Sequence, residues 1–499
     1  MIPLSVAELA EITGAALDEV PDAGAVVTGP VVIDSREVEP GSLFAALPGT
    51  RADGHDFARA AVAAGAVVVL AQRRVGVPAL IVGDVLAAMD KLATAVVDRL
   101  PGLTIVGITG SAGKTTTKDL AAQLIETLGP TVAPRGSYNN EIGHPLTVLR
   151  VTEQTRYLIS ELAARGPGHI AARCAVAPPR LGAVLGVGHA HAGEFGGIEQ
   201  VALAKGELPA ALRSDGVAVL NADDPRVLAM AQRSRARVVT FGTSAGADVR
   251  ADDVTTDDQG RAAFTLVTAD GSAPVRLRLH GRHHVSNALA AAALAAELGM
   301  GVDAIAAGLS AAVARSRWRM EVTERPDGVT IINDAYNANP ESLRAALAAL
   351  ADMTAPGPGA ARGGAASERG RRGFAVLGEM TELGELAEKF HEEAGLQAAR
   401  AGVTGLIGVG AAAAPILAGT KAVPSWQGEL LQVADAAAAV AALGQRLRGG
   451  DVVLVKASHS VGLETVALAL TGERPLPGPQ ESRPHKPGQP AAGDPGPAL

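Results

Sequence analysis

The stretch TIVGITGSAGKTTTK, residues 104–118, decides the fold class. Thr104 to Ile108 make a short apolar strand, a turn with Gly110 and Gly113 follows, and a helix is expected from Thr115 to about Leu128. A strand that ends in a glycine-rich turn and passes straight into a helix opens a nucleotide-binding α/β sheet. Glycines let backbone N–H groups converge on phosphate oxygens, and the helix N-terminus adds the positive end of its dipole. Lys114 supplies a point charge and Thr115 can reach a magnesium ion. The strict G-x-x-x-x-G-K-[ST] spacing is not met because position 108 is Ile, so Gly110 and Gly113 frame a shortened loop. Thr109, Gly110, Ser111, Ala112, Gly113, Lys114, Thr115 and Thr116 are the candidate nucleotide contacts. The competing reading is a glycine turn that holds no phosphate.

Outward from this loop the chain divides into three. Upstream, LFAALPG and DGHDFARAAVAAGAVVVLA read as strand, loop, helix and buried β-branched strand, a small α/β domain ending near Leu100. Downstream, apolar runs such as LGAVLGV and GVAVLNA alternate with helical stretches to about Ala314, as in a mostly parallel sheet covered on both faces. From Arg315 the alternation restarts: GVTIIND, FAVLG, TGLIGVG and DVVLVK as strands, PESLRAALAAL as a helix with Pro at its start, a second doubly wound sheet. The expectation is a three-domain α/β protein with domains 1–100, 101–314 and 315–473. Residues 354–373 and the Pro/Gly-rich tail 474–499 read as loop or disordered segments without a catalytic role.

Bulk properties agree. At roughly 150 residues per domain, 499 residues suggest about three domains. Hydrophobic residues make up 47% but aromatics only 2%, so packing rests on Ala and Val. No apolar run approaches the roughly 18 residues of a membrane span, and MIPLSVAELAEITGA has no basic leader or cleavage pattern. A cytoplasmic protein without membrane insertion is expected. The one cysteine, Cys174, excludes an internal disulfide and a cysteine zinc site, and a net charge of -8 argues against nucleic acid. The one basic cluster, RGRR from Arg369, reads as a solvated loop.

Phosphoryl transfer needs a metal beside the phosphates. Glu161 follows the apolar strand YLIS and His191 follows AVLGV, both at strand carboxyl ends where open α/β sheets bind ligands. Taken alone, each is more often a surface carboxylate or a core-edge histidine. Lys205 in AKGEL reads locally as a solvated helix lysine, and LNADDP from Leu220 as an Asx turn. DAYNANPES, from Asp334, gathers donors and acceptors at a sheet edge before Pro340, with a hydrogen-bonded turn and helix cap as the alternative.

Together TGSAGKTTTK, NNEIGHPLT, LNADDP, DAYNANP and VLGEMTELG resemble the Mur ligase family, from DSR near residue 34 to KASHSVGLE near residue 460. The resemblance implies an N-terminal uridine-nucleotide domain, a central ATPase whose shortened loop is the family's form, and a C-terminal Rossmann-like domain that closes over the site. It also implies an ATP-dependent ligase that activates a carboxylate as an acyl phosphate. Its substrates would be UDP-N-acetylmuramoyl-tripeptide and D-alanyl-D-alanine. Nothing in the sequence suggests a large interface, so a monomer is expected. Ser35, Arg36, Asp53, Gly54 and His55 match the uridine pocket. Asn139, Asn140 and Glu141 would face the muramoyl-peptide and the phosphates. Thr115, Glu161 and His191 would hold magnesium, two ions in all, and Lys205 matches a lysine that is carbamylated in such ligases. Asn287 would contact the base, Arg319 and Asp334 would reach ATP on closure, and Asn337 and Asn339 belong to the turn that sets this branch apart.

Three positions depart from the family pattern: Gly186 and His284 stand where asparagines are usual, and His459 replaces an arginine in KASHS. They leave open a paralogous ligase that takes another D-dipeptide or a depsipeptide. A folylpolyglutamate synthase is a rival of the same class, and an NTPase switch without ligation a rival of another class.

Overall fold

The computed structural model describes residues 1–49, 52–190, 192–355 and 370–473. The loop expected at 354–373 and the tail fall largely or wholly outside these.

The first sheet has five short strands in the order Ala16–Asp18, Ala79–Ile81, Val68–Ala71, Leu43–Ala45, Val31–Val32, parallel except for the first pair. Val68–Ala71 is buried at every residue, as an apolar run covered on both faces must be. Its core continues into the second unit, where Leu146, Val148 and Leu158 pack with Leu92 and Val96 of the helix Val85–Asp98.

The central sheet has nine strands, with Thr104–Thr109 between Leu181–Val184 and Tyr157–Glu161, all parallel here. Parallel pairing runs on through Val217–Asn221 and Arg237–Gly242 to Val249. The sheet is mostly parallel, as expected, and one edge departs from that pattern. Val249–Thr256, Arg261–Thr268 and Gly271–His280 form an antiparallel extension. GSAPVRLRLH carries the strict period of two of a strand with one wet face, and its buried residues are Ala273, Val275, Leu277 and Leu279. Helix Lys114–Ile125 packs against His284–Glu297, whose alanines let the backbones approach without aromatics.

The third sheet runs Glu321–Glu324, Thr330–Asn333, Val452–Lys456, Gly373–Leu377, Gly405–Val409, Glu429–Val433, antiparallel only at its first strand. Its two apolar clusters contain residues of this unit alone. Among the described residues no helix is long and apolar enough to cross a membrane.

Candidate active site

The strand Thr104–Thr109 delivers the loop at its carboxyl end, and Gly113 makes the turn possible. Its φ is +81°, and a Cβ there would collide with the carboxamide oxygen of Asn287. The helix starts one residue earlier than expected, at Lys114, whose Nζ donates to Gly110 O at 2.8 Å. Burial lowers the Lys114 pKa and Arg319 adds to this, while Glu161 opposes it. Ser111 Oγ accepts from Gly188 N (2.8 Å) and donates to Gly188 O (3.2 Å), tying the loop to the next strand's exit. Thr109 Oγ1 is spent on Leu162 O at 2.8 Å, and Ala112 and Thr116 are half-buried beside it.

Thr115 Oγ1 donates to Glu161 Oε1 at 3.1 Å, and Asn139 Nδ2 donates to the same oxygen at 2.6 Å. Glu161 ends its strand 1% exposed, and its Oε2 is buried with no partner among the described residues. A carboxylate held through one oxygen, with the other bare beside a phosphate loop, suits a hard cation. No group of three or more His, Cys, Asp or Glu able to hold a metal occurs among the described residues. That is compatible with magnesium, which is usually carried by one or two protein groups plus phosphates.

Lys205 overturns its local reading as a solvated lysine. It ends the helix Ile198–Lys205 only 4% exposed, and burial, with Lys114 adding to it, holds its pKa well below the ordinary value. His191 lies outside the described residues. Asn287 is buried; its Nδ2 lies 3.2 Å from His284 Nδ1 and its Oδ1 3.4 Å from Thr117 Oγ1, the hydroxyl donating. Asn221 Nδ2 donates to Leu185 O and Asp224 Oδ2 accepts from Val187 N, so LNADDP buttresses the strand exit beside Gly186. Asn140 turns back to accept from Gly143 N at 2.9 Å, and Glu141 is exposed. Cys174 is buried, and its thiol is pushed up to about 12.

The third unit reaches the loop with polar groups. Asp334 Oδ1 accepts from Met320 N (3.0 Å) and Oδ2 pairs with Lys456 Nζ (2.6 Å), which also donates to Asn337 O at 2.9 Å. Lys456 thus fixes the DAYN turn. Asn339 does cap the helix Pro340–Thr354, accepting from Ser342 N, while its Nδ2 reaches Ser111 O at 3.4 Å. Arg319 lies 4.1 Å over the Tyr336 ring and donates to Ser137 Oγ at 2.6 Å. It sits between Trp318 and Met320, both at positive φ. His459 stacks on Tyr336 at 5.4 Å and Trp318 at 6.0 Å, a ring where a guanidinium was expected.

The N-terminal set stands apart, on the first sheet. Arg36 pairs with Asp34 at 2.5 Å, beside Ser35. His55 has both ring nitrogens engaged, Nδ1 with Asp53 (2.5 Å) and Nε2 accepting from Gln72 N (2.9 Å), so it orders the Asp53-Gly54 turn and offers no free nitrogen.

Three contacts escaped the sequence reading. Ser137 links Thr115 to Arg319. Glu341 Oε1 accepts from His189 N at 3.0 Å and meets its Nδ1 at 2.8 Å. Lys118 is buried against Asp119. Only the acidic residue just inside a helix start, Glu341, carried a local signal.

Comparison with known proteins matches three family models in chain order: "Mur ligase family, catalytic domain" at residues 30–102, "Mur ligase middle domain" at 108–295 and "Mur ligase, glutamate ligase domain" at 318–459. A UDP-N-acetylmuramoyl-tripeptide–D-alanyl-D-alanine ligase of Mycobacterium tuberculosis is 50% identical, over 95% of this chain and 98% of its own length. The enzyme of that name from Escherichia coli is 35% identical, over 94% and 99%. Among solved structures, MurF from Acinetobacter baumannii superposes with a TM-score of 0.82 at 28% identity, over 94% of this chain and 99% of that one. MurF from Thermotoga maritima in complex with ADP gives 0.75 at 30% identity, over 90% and 98%.

Proposed function

Since the chain belongs to the Mur ligase family, we propose that it is an ATP-dependent ligase joining D-alanyl-D-alanine to UDP-N-acetylmuramoyl-tripeptide in peptidoglycan precursor synthesis. One observation carries the reading. The phosphate loop, with Lys114 and the Thr115–Glu161–Asn139 chain, is faced by Arg319 and Asn339 of a separate sheet. Domains 1–100, 101–314 and 315–473 belong to the same reading, as do a cytoplasmic setting and a monomeric enzyme.

A carboxylate is a poor electrophile. Its oxygen therefore attacks the γ-phosphorus of ATP, ADP leaves, and the resulting acyl phosphate is attacked at carbon by the dipeptide amine, expelling phosphate. Catalysis is then largely positioning and charge neutralisation. Burial lowers the Lys114 pKa, and anionic phosphates in the loop would favour its charged form. Asn139 holds Glu161 in place, and Arg319 brings a second cation from the third domain. The closed junction keeps water from the acyl phosphate.

Magnesium fits the hydroxyl of Thr115 and the bare oxygen of Glu161, and we assign it to these with His191, two ions in all. When bound, it offsets charge developing between the transferred phosphoryl and ADP. Lys205 supports carbamylation, because CO2 adds to a neutral amine and burial favours that form. The amine loses a proton as CO2 adds, and the carbamate places an oxygen anion near Lys114. Ser35, Arg36, Asp53 and Gly54 are assigned to the uridine nucleotide, with His55 ordering that turn, Asn139, Asn140 and Glu141 to the muramoyl-peptide and the phosphates, Asn287 to the base, Arg319 and Asp334 to ATP, and Asn337 and Asn339 to the substrate.

Phosphate release is expected to require both UDP-N-acetylmuramoyl-tripeptide and a dipeptide, and to vanish in Lys114→Ala. Turnover without an acceptor would favour the NTPase switch. A dipeptide and depsipeptide panel tests whether His459, Gly186 and His284 alter acceptor choice.

A further inference from the structure

One turn beyond Lys114 on the same helix stands a second lysine. Lys118 is 2% exposed, its Nζ lies 2.5 Å from Oδ1 of Asp119, itself 6% exposed, and it donates to Pro134 O at 3.1 Å. Arg150, just past the helix Gly143–Val148, donates from Nη1 to the neighbouring carbonyl, Ala133 O, at 2.8 Å. Burying an ammonium costs several kcal/mol unless a carboxylate and further acceptors offset it. Two cations are thus committed to adjacent backbone carbonyls.

Those carbonyls open the segment 134–142, which carries Ser137, Asn139, Asn140 and Glu141. Its far end is fixed without cations. Ala163 N donates to Asn139 O at 3.2 Å, His144 N donates to Asn140 O at 3.0 Å, and Gly143 lies so close to the Tyr138 backbone that a Cβ would sit 2.5 Å from its Cα. The near end has Lys118 and Arg150. Ser137 and Asn139 must meet Thr115, Glu161 and Arg319 at hydrogen-bond range, so a shift at the base of the segment displaces every one of those contacts.

We propose that Lys118, assisted by Arg150, is a positioning residue that sets the segment 134–142 against the phosphate loop. One helix thereby registers nucleotide recognition, through Lys114, with recognition of the uridine-peptide. The proposal rests on the assignment of Asn139, Asn140 and Glu141 to that substrate.

The test uses the full-length enzyme. The double variant Lys118→Met/Asp119→Asn removes both buried charges and leaves neither orphaned, and Arg150→Met removes the second grip independently. The KM for UDP-N-acetylmuramoyl-tripeptide is expected to rise about tenfold in the double variant, a loss of one hydrogen-bonded anchor, and less in Arg150→Met. The Kd of a non-hydrolysable ATP analogue should shift by less than the uridine-peptide KM in both, because Lys114 and the loop backbone stay in place. An unchanged KM in folded variants overturns the proposal, and so does a parallel loss of nucleotide affinity, which would mark a general packing role. If the double variant does not fold, Arg150→Met decides by the same split. Wild-type phosphate release without a dipeptide would overturn the ligase reading instead.

Discussion

Burial lowers the pKa of both Lys205 and Lys114, and the Lys114 charge adds to the effect on Lys205, so their roles separate by what each can gain. In the proposed mechanism Lys114 gains phosphate, and Lys205 gains CO2. A Lys205→Ala enzyme is expected to lose about a hundredfold in kcat, the scale of one preorganised charged group, and to recover part of it with added short-chain carboxylates. Full activity in Lys205→Ala would remove carbamylation from the mechanism. Gly113 is the second decisive residue, because at φ +81° and against Asn287 it has no room for a side chain. Gly113→Ala is expected to cost about 1–3 kcal/mol of loop strain, read as a raised KM for ATP with the uridine-peptide KM held. Lys114, Thr115 and Glu161 were legible because strand-turn-helix order alone places them at one sheet edge. Lys205 was not, since its burial comes from the helix packing over it, and AKGEL looks the same in or out of water.

At the scale of elements, the start of the helix Pro340–Thr354 works as a latch. Asn339 caps it while touching Ser111 O, and Glu341 in its first turn takes both the backbone N–H and the ring of His189. The ring in turn packs on Phe390 at 4.7 Å. The DAYNANPES turn showed its cap in the sequence, through Asn339, Pro340 and Ser342. The partner across the junction did not show, because a polar contact between domains leaves no periodicity in either segment. Glu341→Ala is expected to loosen closure by about 1.5–3 kcal/mol, the range for a hydrogen bond to a charged group. It should appear as a lower kcat/KM and a larger radius of gyration in small-angle scattering with ATP analogue bound. An unchanged radius together with unchanged kcat/KM would reject the latch. The antiparallel extension shows the opposite limit of legibility. GSAPVRLRLH had the period of a half-exposed strand, but the parallel runs before it set the reading, and the hairpin turns around Asp257–Gly260 and Asp270–Gly271 were passed over.

The whole molecule joins its parts in two different ways. The first and second units share one apolar core through Leu146, Val148 and Leu158, whereas the third keeps its clusters to itself and meets the second largely through polar contacts such as Arg315–Glu126 and Arg319–Ser137. Buried imidazoles lie close to both junctions. His144, 1% exposed, has no hydrogen bond to either ring nitrogen among the described residues; burial first, then Arg173, lowers its pKa to about 3. His283 is lowered to about 4 by burial and Lys456, with Asp334 opposing, and His284 falls well below its usual value through burial and its neighbours His283 and His280. In the unfolded chain all three take up protons near 6.5. Between that value and about 4 the unfolded state therefore binds more protons than the folded one. Stability is full above the upper limit and falls as the medium acidifies, with a slope of at most three protons, an upper bound of roughly 4 kcal/mol per pH unit. Carboxylates such as Asp53, held below their usual range by His55 and Arg73, titrate lower still, whereas burial raises Asp90 and Asp352, which subtract from the histidine slope. Unfolding midpoints in urea at pH 8, 6.5, 5.5 and 5 should be flat at first and then drop. His144→Leu should remove up to one proton from the slope and cost nothing at pH 8, because it replaces a buried ring with no hydrogen-bond partner by an apolar side chain of similar reach. An unaltered slope in that variant would show that His144 takes its proton without unfolding and that the junction beside Arg173 opens to water first.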